Sequence, residues 1–175
     1  NAKNYGKITK LITELEQHFL VKDLGDAAHY LGIRVTQSES CNEITQDAYV
    51  DKMLTKFNMV NANSVDTPGA PGQILTRLDC PADKSPQQQD MAVVPYRQLV
   101  GSLMYLYICT RPDTGAPLVK VASFNNNPGM AHWKAAKRIL RYAKGTGSQG
   151  IKYTGRLDKG QKVKITAYCD SDWAQ

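Results

Sequence analysis

Residues 127–145 read NPGMAHWKAAKRILRYAKG, and their spacing decides how the C-terminal half is built. Trp133, Ala136, Ile139, Leu140 and Ala143 recur at helical intervals and predict a side that packs on a core. Lys134, Lys137, Arg138 and Arg141 fall at i, i+3, i+4 and i+7, and Lys144 extends the stripe. They predict a cationic side turned to solvent. Asn127 is the expected N-cap, Pro128 the first helical residue and Gly145 the C-cap.

Working upstream, two more helices are predicted before this one. The first runs from Pro95 to Cys109. The second follows Arg111-Pro112-Asp113 and reaches Phe124, with Pro117 expected to kink it or delay its start. Downstream the pattern turns to strands. Gly150 to Tyr153 forms one, Arg156 to Gly160 a turn, and Lys162 to Asp170 a second. In that last strand Val163, Ile165, Ala167 and Cys169 alternate with Lys164, Thr166, Tyr168 and Asp170.

The N-terminal part is mixed. Ile8, Leu11, Ile12, Leu15 and Phe19 predict an amphipathic helix over Tyr5 to Phe19. Tyr30 to Gln37 alternates as a strand, with Gly32 inside it, and Glu43 to Thr45 returns to complete a β-hairpin. Gln46 to Met59 is helical, with Tyr49, Val50, Met53, Leu54 and Phe57 on one side. Residues 61–92 are of another kind, with Pro68, Pro71, Pro81 and Pro86, Gly69 and Gly72, and the run Gln87-Gln88-Gln89. They predict a long, mostly irregular connection and the main boundary of the chain. The expected fold class is therefore α+β, divided as 1–60, 61–92, 93–148 and 149–175.

Charge narrows the function. The chain of 175 residues carries a net charge of +6. Residues 1–62 hold seven Lys/Arg against eight Asp/Glu, and residues 63–127 hold five of each. Residues 128–175 hold ten Lys/Arg against three Asp, a net of +7. No acidic residue occurs from Pro128 to Leu157. An excess so localised points to a polyanionic partner at the Lys134–Lys144 stripe, against the simpler reading of a solvated helix face. No apolar run approaches the roughly 20 residues that span a bilayer, and the first residues lack an apolar signal core. With no initiator Met, a processed or excised chain is expected. Cys41, Cys80, Cys109 and Cys169 form no CxxC pair and no cluster with His18, His29 or His132. Free thiols in a reducing compartment are expected rather than a zinc site.

Catalytic signals are sparse. There is no P-loop, GxGxxG, GxSxG or HExxH, and no Tyr-x-Asp-Asp pair of adjacent acids. Asp170, where the last strand emerges, is a candidate metal-binding carboxylate, with Asp172 two residues on. On local grounds alone the reading as exposed strand-end acids is favoured over a metal site.

Taken in order, the segments FLVKDLGDAAHYLGIRV (19–35), ITQDAYVDKMLTKFNM (44–59), VDTPGAP (65–71), YRQLVGSLMYLYICTRPD (96–113), NNPGMAHWKAAKRILRYAKGT (126–146) and YCDSDWA (168–174) resemble the copia-type LTR retrotransposon polyprotein. The resemblance covers nearly the whole chain, downstream of the polymerase active-site aspartates. It implies that residues 1–45 are the end of a reverse transcriptase palm, with Tyr30, Leu31 and Gly32 in the hairpin that grips the primer. It implies thumb and connection helices over 46–145, with Lys134, Lys137, Arg138, Arg141 and Lys144 binding nucleic acid. The last strand would open a ribonuclease H domain, making Asp170 the first of that domain's metal-binding carboxylates.

The implied parent copies RNA into DNA with Mg²⁺. Its partners would be RNA, DNA or an RNA–DNA hybrid, together with the remaining polymerase and ribonuclease H domains, and no membrane. Its location would be intracellular, in the cytoplasm, a virus-like particle or the nucleus. This chain is expected to be catalytically incomplete and to bind no Mg²⁺ tightly, because the other carboxylates of both sites are not in it. Gly115-Ala116-Pro117 departs from the uninterrupted helical stretch usual in the family. Two alternatives stay open. One is a non-enzymatic nucleic-acid-binding remnant. The other is a protein-interaction module of the 95–145 helices, using Trp133, Tyr142 and the apolar run Leu103 to Ile108.

Overall fold

A computed structural model describes residues 2–22, 25–38 and 40–154. In chain order its elements are α1 (Ala2–Glu16), β1 (His29–Tyr30), β2 (Ile33–Gln37), β3 (Cys41–Thr45), α2 (Asp47–Lys56), α3 (Pro86–Ala92), α4 (Tyr96–Cys109), α5 (Gly115–Ala122), α6 (Met130–Gly145) and β4 (Ile151–Thr154). Short 3₁₀ turns stand at Arg77–Asp79 and Pro112–Thr114. Helices and one antiparallel sheet coexist, which is the α+β class read from the sequence.

The core is helical, and α6 is its centre, packed on α2, α4 and α5. Ala136, Ile139, Leu140 and Ala143 are all fully buried, as their spacing predicts, and Trp133 packs against the same cluster. Leu99, Leu103 and Leu106 meet them from α4, and Leu118 and Val121 from α5. Each such leucine or isoleucine contributes about 2 kcal/mol by leaving water. Val50, Met53 and Leu54 of α2 and Phe57 at its C-cap join the same cluster, so one core is shared across the 61–92 stretch.

That stretch is less irregular than its composition predicts. Ser85 caps α3 by accepting the Gln88 N–H at 3.2 Å, Pro86 takes the first turn, and the glutamine run is helical. Earlier, Asp79 accepts the Thr76 N–H at 2.8 Å and fixes the 3₁₀ turn. Composition missed these elements because caps of two or three residues carry no periodicity.

Helix ends also differ from the reading. Asn127 does not cap α6. It precedes a proline, which disfavours helical backbone, and its amide donates instead to the Pro81 carbonyl at 2.9 Å. Gly129 is the N-cap, and Thr146 rather than Gly145 ends the helix. Pro117 neither kinks nor delays α5. It lies in the first turn, where an N–H has no intrahelical acceptor to lose. Gly115 is needed there for a different reason: a Cβ on it would lie 2.6 Å from the Tyr107 ring of α4.

The four strands run β1-β2-β3-β4. Gly32 is not inside a strand. Tyr30 pairs with Ile33, and Leu31 and Gly32 form the two-residue turn between them. Their φ values of 49° and 81° are both positive, as a type I′ hairpin turn requires. Nor does Ile151–Thr154 open a separate sheet among the described residues. It pairs with β3, Ile151 opposite Ile44, and Lys152 reaches Glu43 at 3.4 Å. Its expected partner, Lys162 to Asp170, lies outside the described residues. Helix α1 stands apart, with Ile8, Leu11 and Leu15 of its apolar side, and Phe19 beyond its end, exposed.

A buried guanidinium ties the helical ends together. The Arg111 side chain is 3% exposed. It donates to both Asp113 carboxylate oxygens, at 3.0 and 2.8 Å, and to the carbonyl and hydroxyl of Thr146, at 3.0 and 2.6 Å. It also lies 5.2 Å from the Tyr142 ring centroid, while the Tyr142 hydroxyl donates to Asp113 at 2.8 Å. Burial alone would raise the Asp113 carboxyl, but the hydrogen bonds from Arg111 and Tyr142 and the Arg111 charge outweigh it and hold it below the usual range. Arg111→Ala is expected to cost about 3 kcal/mol, because it strands Asp113 and two acceptors on Thr146. Tyr142→Phe should cost about 1 kcal/mol. Urea denaturation midpoints check both. Equal, small losses would show that the network adds nothing beyond packing.

Candidate nucleic-acid interface

The sequence predicts five cations on the solvent side of α6. The structure divides them. Lys134 is exposed, and the Lys137 ammonium rests 5.3 Å from the Trp133 ring centroid, leaving its charge at the surface. The other three reach the chain that leaves α2. Arg138 donates through Nη2 to the Thr67 hydroxyl at 2.9 Å, and Arg141 through Nε to the Asn63 carbonyl at 2.6 Å. The Lys144 ammonium donates to the carbonyls of Val60 and Ala62 at 2.7 and 2.8 Å. Periodicity could not show this, because it places a side chain on a face without saying what crosses that face.

Local chemistry delivers the 58–67 segment to α6. The Met59 N–H donates to the Leu54 carbonyl at 2.7 Å and the Asn58 N–H to Thr55 at 3.2 Å. Asn58 has a φ of 54°. This is a Schellman ending with asparagine at its left-handed position, and buried Met59 packs back toward the core. The chain then runs along α6, where the three cations fasten it as a strap. All their acceptors are neutral. Among the described residues none of the five cations pairs with a carboxylate, so the positive charge of the helix is not cancelled.

Between strap and helix lies a polar cleft of about 590 Å³. Lys134, Lys137 and Arg141 line one wall, and residues 58–63 the other. Arg138 lines a different, mainly apolar cavity of about 200 Å³ with Pro68, Leu75, Pro117 and Lys120. Lys144 and the hairpin residues Tyr30, Leu31 and Gly32 line neither. The hairpin tip is fixed separately. The Tyr105 hydroxyl of α4 donates to the Leu31 carbonyl at 2.6 Å, and Tyr105 meets Tyr49 edge to face at 5.2 Å. Tyr30 and Leu31 remain exposed there. The sequence pattern puts Asn58 at the end of the helix Gln46 to Met59 and Asn61 and Asn63 in the irregular connection, although three asparagines within six residues are visible in the sequence.

The surface that a protein-interaction module would need is largely consumed. Leu103 and Leu106 are buried, Trp133 packs on the core, and Tyr142 is engaged with Asp113; Ile108 alone of these is well exposed. Asp170 and Asp172 lie outside the described residues. Among those described, no three His, Cys, Asp or Glu side chains converge where a divalent cation could be held. The described residues do not fit a Mg²⁺ site. No described helix is long and apolar enough to cross a membrane.

A helical core carrying one cationic helix face, beside an antiparallel hairpin sheet, defines the chain as an α+β protein. Residues 1–71 match the reverse transcriptase (RNA-dependent DNA polymerase) family. The chain is 37% identical over 175 residues to the retrovirus-related Pol polyprotein from transposon TNT 1-94 of Nicotiana tabacum, covering 99% of this chain and 13% of the relative. It is 35% identical over 163 residues to the Pol polyprotein from transposon RE1 of Arabidopsis thaliana, covering 93% of this chain and 10% of the relative. An uncharacterized mitochondrial protein of Arabidopsis thaliana is 32% identical over 167 residues, 95% of this chain and 64% of its own length. No solved structure matches. Over nearly its whole length the chain is similar to the Pol polyproteins of copia-type retrotransposons, and these likenesses support a reverse transcriptase fragment of that type. It spans about a tenth of the length of the two Pol polyproteins.

The start of α6 contains a titratable joint. His132 is fully buried, stacks on Phe124 at 4.0 Å, and accepts the Gly129 N–H on Nδ1 at 2.8 Å. That bond requires the neutral ring. Burial pushes the His132 pKa below its ordinary 6.5, against the opposing pull of the nearby Asp79 charge. Below pH 6.5 the unfolded chain therefore takes up a proton that the native chain refuses, and stability falls as the pH drops toward the lower native value. Above pH 6.5 the group contributes no slope. His132→Gln keeps an acceptor at the third helical position and should flatten thermal stability between pH 6.5 and 5.5. A variant with the native slope would remove His132 as its source.

Proposed function

We propose that this chain is the part of a retrotransposon reverse transcriptase that helps hold template–primer and is catalytically incomplete alone. The observation that carries the reading is the cleft along α6, where Lys134, Lys137 and Arg141 stand without a carboxylate partner among the described residues. Lysine and arginine so placed neutralise phosphates and release counterions. The family supplies the partner, an RNA–DNA hybrid or one of its strands. Arg138 and Lys144 act mainly by holding the strap that forms the opposite wall. Tyr30, Leu31 and Gly32 present the hairpin tip toward the primer. The apolar side of α1 packs on the remaining polymerase body, which accounts for Ile8, Leu11 and Leu15 lying exposed. Asp170 is the first metal-binding carboxylate of the parent's ribonuclease H site, for which Mg²⁺ is the cofactor.

Binding of an RNA–DNA hybrid should weaken with salt. With three cations on phosphates, log affinity should fall against log salt with a slope of about −2.7. Lys134→Gln with Lys137→Gln should bring the slope to about −1 and leave the thermal melt unchanged. Affinity that is flat in salt would end the phosphate reading. The pure chain should show no Mg²⁺-dependent primer extension or hybrid cleavage, and either activity would overturn the assignment as incomplete.

A further inference from the structure

The α6 cleft has two unlike walls, and only the cationic one is explained by phosphate binding. The other carries Asn58, Asn61 and Asn63. Asparagines in a loop usually serve the backbone, by adopting left-handed geometry or by bonding their own main chain. Asn58 does the first, at a φ of 54°. Asn61 and Asn63 do neither. They have no positive φ, and among the described residues their amides make no hydrogen bond. Both are exposed at the cleft. Their main chain is nonetheless held firmly. The Asn63 carbonyl accepts from Arg141, and the carbonyls on either side of Asn61 accept from Lys144. The strap thus holds the backbone that carries these amides on the wall across the cleft from Lys134 and Lys137.

The chemistry of the cleft selects among ligands. Among the described residues no aromatic side chain lines it, so bases find there no stacking platform of the kind that binds single strands indifferently. Cations on phosphate carry no information about the sugar. An amide offers both a donor and an acceptor, and so matches a group that is itself both. The ribose 2′-hydroxyl is such a group and is absent from DNA. A cleft of about 590 Å³ is large enough for a nucleotide unit of one strand.

We infer that the cleft prefers an RNA strand to a DNA strand of the same sequence, with Asn61 and Asn63 bonding ribose 2′-hydroxyls while Lys134, Lys137 and Arg141 hold the phosphates. This rests on the nucleic-acid reading above. The test compares the whole chain binding a labelled 12-nucleotide single-stranded RNA and the matching DNA, in low salt. RNA should bind about fivefold to tenfold more tightly, the scale of one or two hydrogen bonds. Asn61→Ala with Asn63→Ala should bring RNA down to the DNA level and leave DNA affinity and its salt slope unchanged. Lys134→Gln with Lys137→Gln should weaken both ligands and keep their ratio. Equal affinity for RNA and DNA in the unaltered chain overturns this inference and leaves the phosphate reading standing. An RNA preference that survives the asparagine substitutions overturns the assignment to these residues. No binding of either strand at low salt overturns the nucleic-acid reading itself. Since both asparagine side chains are exposed, the double variant should melt as the parent does. Asn61→Ser with Asn63→Ser, which keeps a hydroxyl donor and acceptor, should retain part of the preference.

Discussion

Four apolar positions on α6, Ala136, Ile139, Leu140 and Ala143, are buried against three other helices at once. The small residues among them allow close approach and the large ones fill the space between. Because one face of α6 is wholly committed to this contact, its opposite face must lie at the surface. The charged residues of the same 19-residue stretch are there by geometry. Removing the apolar contact would leave nothing to orient the cations, the strap or the cleft between them.

Polar contacts then fix what burial leaves free. Arg111 joins the turn after α4 to the residue that ends α6. His132 receives the N-cap N–H at the other end. Between them, Arg138, Arg141 and Lys144 bind the strap through uncharged acceptors. The choice of acceptor matters. A carboxylate would secure the strap more strongly and cancel the charge, whereas a carbonyl secures it and leaves the charge able to act on an anion. The helix can pack, hold the strap and keep its surface charge together for that reason.

The likeness to copia-type Pol polyproteins gives this arrangement its setting. The chain spans about a tenth of the Pol polyproteins it resembles, and the apolar side of α1 stands exposed among the described residues. The pairing of β4 with β3 bears on that organisation as well. It brings the segment after the basic helix back to the N-terminal hairpin, so the last described strand and that hairpin belong to one sheet.

The amino-acid pattern alone determined the helices α2, α4 and α6, their buried sides and the cationic stripe, because a side chain's face follows from its position in a 3.6-residue period. It also carried the family, since ordered motifs survive when each alone is weak. Tertiary structure decided the rest. Leu31 and Gly32 look like strand residues in a row of alternating types, and only the pairing of Tyr30 with Ile33 makes them a turn. Pro117 looks like a defect until its place in the first turn of α5 is known. Arg138, Arg141 and Lys144 are indistinguishable from Lys134 and Lys137 by spacing. What separates them is the strap crossing α6, and its path depends on where α2 ends and how its last carbonyls turn the chain, a long-range contact that periodicity does not encode.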